Sequence, residues 1–195
     1  MTATFLDPPR TAAWQHRDAR NGFEVAFVQA GDDGNQIEGL TAAVEDRQAW
    51  AIEYVITIDQ DWQTRRALVR GRSASGRHEL MLAADAAGRW TVNGAPAPEL
   101  DGCFDVDLEA SALTNAFPVH RLRLSVDQHG DAPAVYVRAL DLSVERLEQR
   151  YRRMRNDGDG QRYCYTSPAF GFETELVYDE YGLVIEYPGI AVRVA

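Results

Sequence analysis

Turn-forming clusters recur along this chain at short, fairly even intervals, and that spacing leaves little room for helices. The clusters are Asp32-Asp33-Gly34-Asn35, Asp59-Gln60-Asp61, Ala87-Gly88, Asn93-Gly94, Gln128-His129-Gly130, Asn156-Asp157-Gly158-Asp159-Gly160 and Tyr181-Gly182. Between them lie segments rich in Val, Ile, Tyr, Phe and Thr, about six to a dozen residues long. Such a pattern predicts a meandering, mainly β protein. Val144 to Arg155 is ambiguous: Val144, Leu147, Tyr151 and Met154 recur at helical spacing, while Leu147, Gln149, Tyr151 and Arg153 alternate as a strand would. Gln161 to Thr166 follows a turn and supplies a hairpin partner, which favours the strand.

No linker, repeat or low-complexity stretch divides the 195 residues. They read as a single domain over residues 1–195, with residues 1–12 as an N-terminal arm. Cys103 and Cys164 cannot make a disulfide framework, and no stretch approaches the roughly 18 apolar residues of a membrane span. The expectation is a cytoplasmic protein with reduced thiols and no stable membrane anchor. A net charge of −10 argues against nucleic acid as a partner. All 20 basic residues are Arg. Arg suits the forked recognition of carboxylate and phosphate, but a genome biased towards Arg codons explains the count as well.

Strand alternation sorts the candidate site residues. In Cys103 to Glu109, Phe104, Val106 and Leu108 form one face, and Cys103, Asp105, Asp107 and Glu109 the other. Val119 to Val126 read as a strand would place Arg121 and Arg123 on one face. Paired, the two segments would make a charged ladder, which is also how a solvated outer face looks. In Thr64 to Arg70 neither face is cleanly polar, so Arg65 or Arg66 must sit among apolar groups and needs an anionic partner. Gly71 to Ser75 reads as a flexible loop. The four His residues have no metal-ligand spacing, and phosphate-loop and dinucleotide motifs are absent. No metal, cofactor or catalytic residue is predicted.

Several strings give the chain a family likeness: Tyr54…Asp59…Trp62-Gln63-Thr64-Arg65, Gly88-Arg89-Trp90 and Leu100-Asp101-Gly102-Cys103-Phe104-Asp105-Val106-Asp107-Leu108. Thr114-Asn115-Ala116-Phe117-Pro118-Val119-His120-Arg121-Leu122 and Asp179 to Pro188 continue it. With these strings the sequence resembles the bacterial Putative glycolipid-binding family. The resemblance implies a long antiparallel sheet curled into a β-roll around a single short helix, homodimers, and that helix near Ser111 to Pro118 with Ser111 as its N-cap. It names no catalytic residues.

The function expected is non-catalytic binding of an amphipathic ligand such as a glycolipid. Arg65, Asp105, Asp107, Asn115 and Arg121 are the candidates for its polar head, and Trp62 and Trp90 for stacking on a sugar ring. Two alternatives stand beside it: an enzyme on a lipid or sugar conjugate with Asp105 or Asp107 as base, and a homodimeric interaction module without ligand.

Overall fold

The computed structural model describes residues 5–158 and 160–195. Asp159, in the Asn156–Gly160 turn, and residues 1–4 of the expected arm lie outside the described residues. The described residues are mainly β: a 14-stranded antiparallel sheet, a three-stranded sheet and one short α-helix.

The chain opens as a meander of β1 (Thr11–His16), β2 (Asn21–Gly31), β3 (Gly34–Glu45), β4 (Gln48–Asp59) and β5 (Thr64–Ser73). It continues through β6 (Gly76–Ala84), β7 (Trp90–Val92) and β8 (Ala95–Pro96). It then leaves the large sheet for β9 (Asp105–Leu108), a 3-10 turn over Leu113–Asn115 and helix α1 (Ala116–Leu122). The return comprises β10 (His129–Asp131), β11 (Ala134–Val137), β12 (Val144–Leu147), β13 (Arg150–Arg153) and β14 (Gln161–Ser167). The last strands are β15 (Phe172–Tyr178), β16 (Val184–Tyr187) and β17 (Ala191–Arg193). The large sheet has the order β10-β13-β14-β15-β16-β17-β1-β2-β3-β4-β5-β6-β7-β8, so β17 and β1 pair and join the two halves of the chain. The small sheet is β12-β11-β9, with β9 parallel to β11.

The ambiguous Val144–Arg155 segment is extended, as its alternation suggested, but it divides: β12 joins the small sheet and β13 forms the antiparallel pair with β14. Two expectations fail. Val119–Leu122 is helix, not a strand, so the ladder between it and Cys103–Glu109 does not form; β9 pairs with β11 instead. Ala116 to His120 are buried without exception, and a segment covered on all sides carries no helical stripe in its sequence. Pro118 sits in the first turn, where the missing N–H breaks no intrahelical bond. The second failure is Gly71–Ser73, which is the end of β5 and not a flexible loop.

The inner face of the sheet follows from alternation in β4, where Trp50, Ile52, Tyr54, Ile56 and Ile58 are buried. Strand β2 inverts the usual sorting. Glu24 and Ala26 point inward, while Phe23, Val25 and Phe27 point out. A buried carboxylate must be paired with donors or it is prohibitively costly. Glu24 accepts from Tyr54 Oη at 2.6 Å, from the Ala112 amide at 2.6 Å and from Ser111 Oγ. Burial raises its pKa, and those three donors pull against the shift. Gly39, opposite Tyr54 on β3, makes this possible. A Cβ there would lie 2.1 Å from Tyr54 Cζ.

These contacts pin the start of the helical segment. Thr41 Oγ1 donates to the Ala110 carbonyl, and Ser111 Oγ accepts from the Thr114 amide at 3.3 Å ahead of the 3-10 turn. Helix α1 itself begins at Ala116, later than the resemblance implied, with Asn115 and not Ser111 at its N-cap. From the other half of the chain, Tyr151 Oη donates to Asn115 Oδ1 and Tyr178 Oη to the Asn115 carbonyl, each at 3.1 Å. The space along α1 is filled by core side chains, Phe117 and Val119 among them, both fully buried.

Candidate functional site

A large opening lies at the C-terminal end of α1. It is a cleft of about 1110 Å³ between residues 5–10, the tip of the β2–β3 hairpin, the loop after β4 and the helix end. Its floor is Trp62 stacked on His120, with ring centroids 3.4 Å apart and planes 8° from parallel. Phe5 packs against the same imidazole at 4.5 Å. Phe5, Leu6, Pro8 and Val28 supply apolar wall, while Arg10, Gln29, Asn35, Gln60 and Arg123 supply hydrogen-bonding groups.

Asp59 builds the loop that presents Trp62. Its Oδ1 accepts from the amides of Asp61 at 2.9 Å and Gln63 at 3.0 Å. Its carbonyl accepts from the Trp62 amide, and its other carboxylate oxygen takes the Arg65 guanidinium. Trp62 is held at φ +62°, a left-handed conformation that few non-glycine residues adopt, so the surrounding bonds have to impose it. Arg65 thus has the carboxylate partner that its place among Ala67 and Val69 demanded, and that partner is the protein's own Asp59. Sequence reasoning missed Asp59 as a site residue, although the Asp59…Trp62…Arg65 string was visible.

His120 is fixed by its second contact. Its Nε2 lies 2.9 Å from the Tyr181 carbonyl, to which it donates, so Nδ1 carries no proton. Burial lowers its pKa to about 3, which keeps the ring neutral. Gly182 is required beside it, because a Cβ there would meet Nε2 at 2.3 Å.

The other candidates divide among three places. Asp105 and Arg121 form an internal pair, with Arg121 Nε 3.0 Å from Asp105 Oδ1 and Nη2 2.5 Å from Oδ2. The charges foreseen on facing strands do meet, but between β9 and the helix. Asp105 is 1% exposed and both its oxygens are taken, so it has no access to a substrate proton. Burial raises its pKa against the pull of Arg121. Trp90 is core, its Nε1 donating to the Cys103 carbonyl at 2.9 Å. Asp107 and Asn115 line a separate cavity of about 320 Å³ at the opposite end of the helical segment from Trp62. There Asp107 is half-buried; crowding by protein atoms pushes its pKa up to about 6, with Gln149 and Thr114 countering as donors. The seven candidates therefore do not form one site. Only Trp62 lines the large cleft.

Among the described residues, no group of three or more His, Cys, Asp and Glu side chains converges as a metal site, and no helix is long and apolar enough to cross a membrane.

Comparison with known proteins bears on the family and the fold. Residues 11–193 match the family model described as Putative glycolipid-binding. The crystal structure of a DUF1089 family protein from Pseudomonas aeruginosa aligns with a TM-score of 0.74 and 30% sequence identity, over 100% of this chain and 98% of that one. No curated protein matches the sequence.

Proposed function

We propose, from the premise that this chain belongs to the Putative glycolipid-binding family, that it holds an amphipathic ligand in the Trp62 cleft without transforming it. The observation that carries the reading is the cleft's mixed wall. An aromatic floor and apolar sides face amide and guanidinium groups across about 1110 Å³. Binding sites of this kind combine apolar area for affinity with a few polar groups for orientation. Burying an alkyl chain contributes about 0.8 kcal/mol per methylene, against roughly 4–15 kcal/mol lost on association. A chain of about ten methylenes is therefore not enough alone, and the head must add hydrogen bonds. The ligand's chain runs along Phe5, Leu6 and Val28, because Phe117 and Val119 fill the space beside α1.

The same reading takes the large sheet as a roll wound about α1. In its support, strands far apart in the sheet order, β2, β3, β13 and β15, each hydrogen-bond to the segment from Ala110 to Asn115. Solvent extraction and native mass spectrometry of the purified protein, followed by fluorescent-lipid titration, test the binding. Saturable uptake that weakens about tenfold in Trp62→Ala is expected. No co-purified lipid and no uptake would remove the reading.

A homodimer is the companion proposal, and one observation favours it. Phe23 and Phe27 are each 55% exposed on the outer face of β2, and Phe27 lies with Leu40, Val55 and Leu68. An apolar patch bordered by Glu38, Glu53 and Arg70 is suited to a second copy of itself. Sedimentation should show a dimer that Phe27→Glu converts to monomer; a monomeric wild type would refute it.

A further inference from the structure

The 320 Å³ cavity at the Asn115 end plays no part in the proposed function, and its chemistry is distinct. Tyr165, Phe172 and Tyr187 form a triangle of rings with centroids 6.1–6.2 Å apart along one wall. Asp107 projects from β9. Its Oδ1 accepts from Thr114 Oγ1 at 3.1 Å and its Oδ2 from Gln149 Nε2 at 2.5 Å, which leaves acceptor capacity on both oxygens. Asn115 has its side-chain oxygen taken by Tyr151, and its amide nitrogen has no partner among the described residues.

We propose that this cavity is a second binding site, for one ring of a neutral polyol such as a monosaccharide unit. Each hydroxyl of such a ring both donates and accepts, and a vicinal pair can use the Asp107 oxygens and the Asn115 amide together. The C–H face of the ring lies on the aromatic triangle, which is apolar at its faces and polar at the two Tyr hydroxyls. Volume limits the ligand, since 320 Å³ is at the small end of binding cavities.

Charge selects neutrality. Asp107 and Glu109 on the walls are matched by Arg20 and Arg138. A cation would find its place taken, because the Arg138 guanidinium lies over Tyr136 at 5.0 Å and Phe170 at 5.4 Å. An anion would meet the Asp107 carboxylate. The site is independent of the Trp62 cleft, from which the buried helix separates it.

The test is ligand-observed saturation-transfer NMR on the full chain, with a panel of methyl hexopyranosides and with choline and inorganic phosphate as charged controls. At least one glycoside should bind saturably and the controls should not. Phe172→Ala should weaken binding about tenfold while leaving fluorescent-lipid uptake by the Trp62 cleft unchanged. If that variant fails to fold, Phe172→Leu keeps the volume and removes the ring face. An octyl glycoside that binds more tightly than its methyl counterpart, still dependent on Phe172, identifies a lipid headgroup as the source; equal binding identifies a free sugar. No signal from any glycoside, binding undiminished in both Phe172 variants, or octyl glycoside binding that depends on Trp62 alone would overturn the proposal.

Discussion

Trp62 and His120 come from a β-loop and a helix end, yet their rings lie parallel and in contact, 3.4 Å between centroids. The stack joins the loop to the helix, where Phe117 also approaches the same indole at 6.4 Å, and burial keeps the imidazole neutral.

That condition gives a pH dependence. His120 has a folded pKa of about 3, below the ordinary imidazole value of 6.5. Its contribution to stability is complete above pH 6.5 and is lost as pH falls towards 3, at up to about 1.4 kcal/mol per pH unit. His120→Phe retains an aromatic ring against Trp62 and cannot titrate. Urea unfolding of the two proteins between pH 7 and pH 4.5 should show the wild type losing ground to the variant as acid is added. Parallel curves would mean that the ring accepts a proton in place.

Asp107 is expected to behave in the opposite sense. Its folded pKa of about 6 lies above the ordinary aspartate value of 3.8. Its contribution is complete below about pH 3.8 and is lost as pH rises through 6. Asp107→Asn should therefore gain on the wild type between pH 4 and 7, by on the order of 3 kcal/mol across the range. Carboxyl carbon NMR should place the midpoint near 6. A midpoint below 4 would show the carboxylate to be well hydrated.

The Asp105–Arg121 pair should prove structural. Removing one member of a buried ion pair strands the other, at a cost of about 3–5 kcal/mol. Arg121→Met is expected to pay that penalty in urea unfolding, and the double change Asp105→Asn with Arg121→Gln to recover most of it. If Arg121→Met were as stable as the wild type, Asp105 would have water or a ligand available to it.

Gly39 and Tyr54 should be strongly coupled. A methyl group at position 39 would lie 2.1 Å from Tyr54 Cζ, displacing the ring whose hydroxyl serves Glu24. Gly39→Ala should cost about 3 kcal/mol. In a Tyr54→Ala background most of that cost should vanish, a non-additivity readable from a double-mutant cycle. Additive penalties would place the strain elsewhere.

The strands were legible because their turns were. Asn93-Gly94 and Tyr181-Gly182 each hold the positive φ angles that their glycines permit. Asp46-Arg47 makes an equivalent turn between β3 and β4 with no glycine, so nothing announced it. Strand β2 reads inside out, because Phe23, Val25 and Phe27 are the hydrophobic set and the sheet buries Glu24 instead. Its donors Tyr54, Ser111 and the Ala112 amide are distant in sequence. Alternation alone hid helix α1, which only the resemblance placed, near Ser111 to Pro118: buried from Ala116 to His120, it shows no polar stripe there. As for the site, Trp62 and Arg65 were visible as a motif, but the cleft depends on residues 5–10, the β2–β3 hairpin tip and His120, which only the tertiary structure brings together.

The pairing of β1 with β17 has a consequence for how the molecule is made. During synthesis the open side of β1 has no partner until Ala191–Arg193 have left the ribosome, and until then it is a bare edge on which other chains can template. The two halves of the large sheet therefore join in a late, long-range event. A circular permutant that splices the β17 end to the β1 start and opens the chain between Ser73 and Gly76 would turn this seam into a local hairpin and shorten the period of exposure.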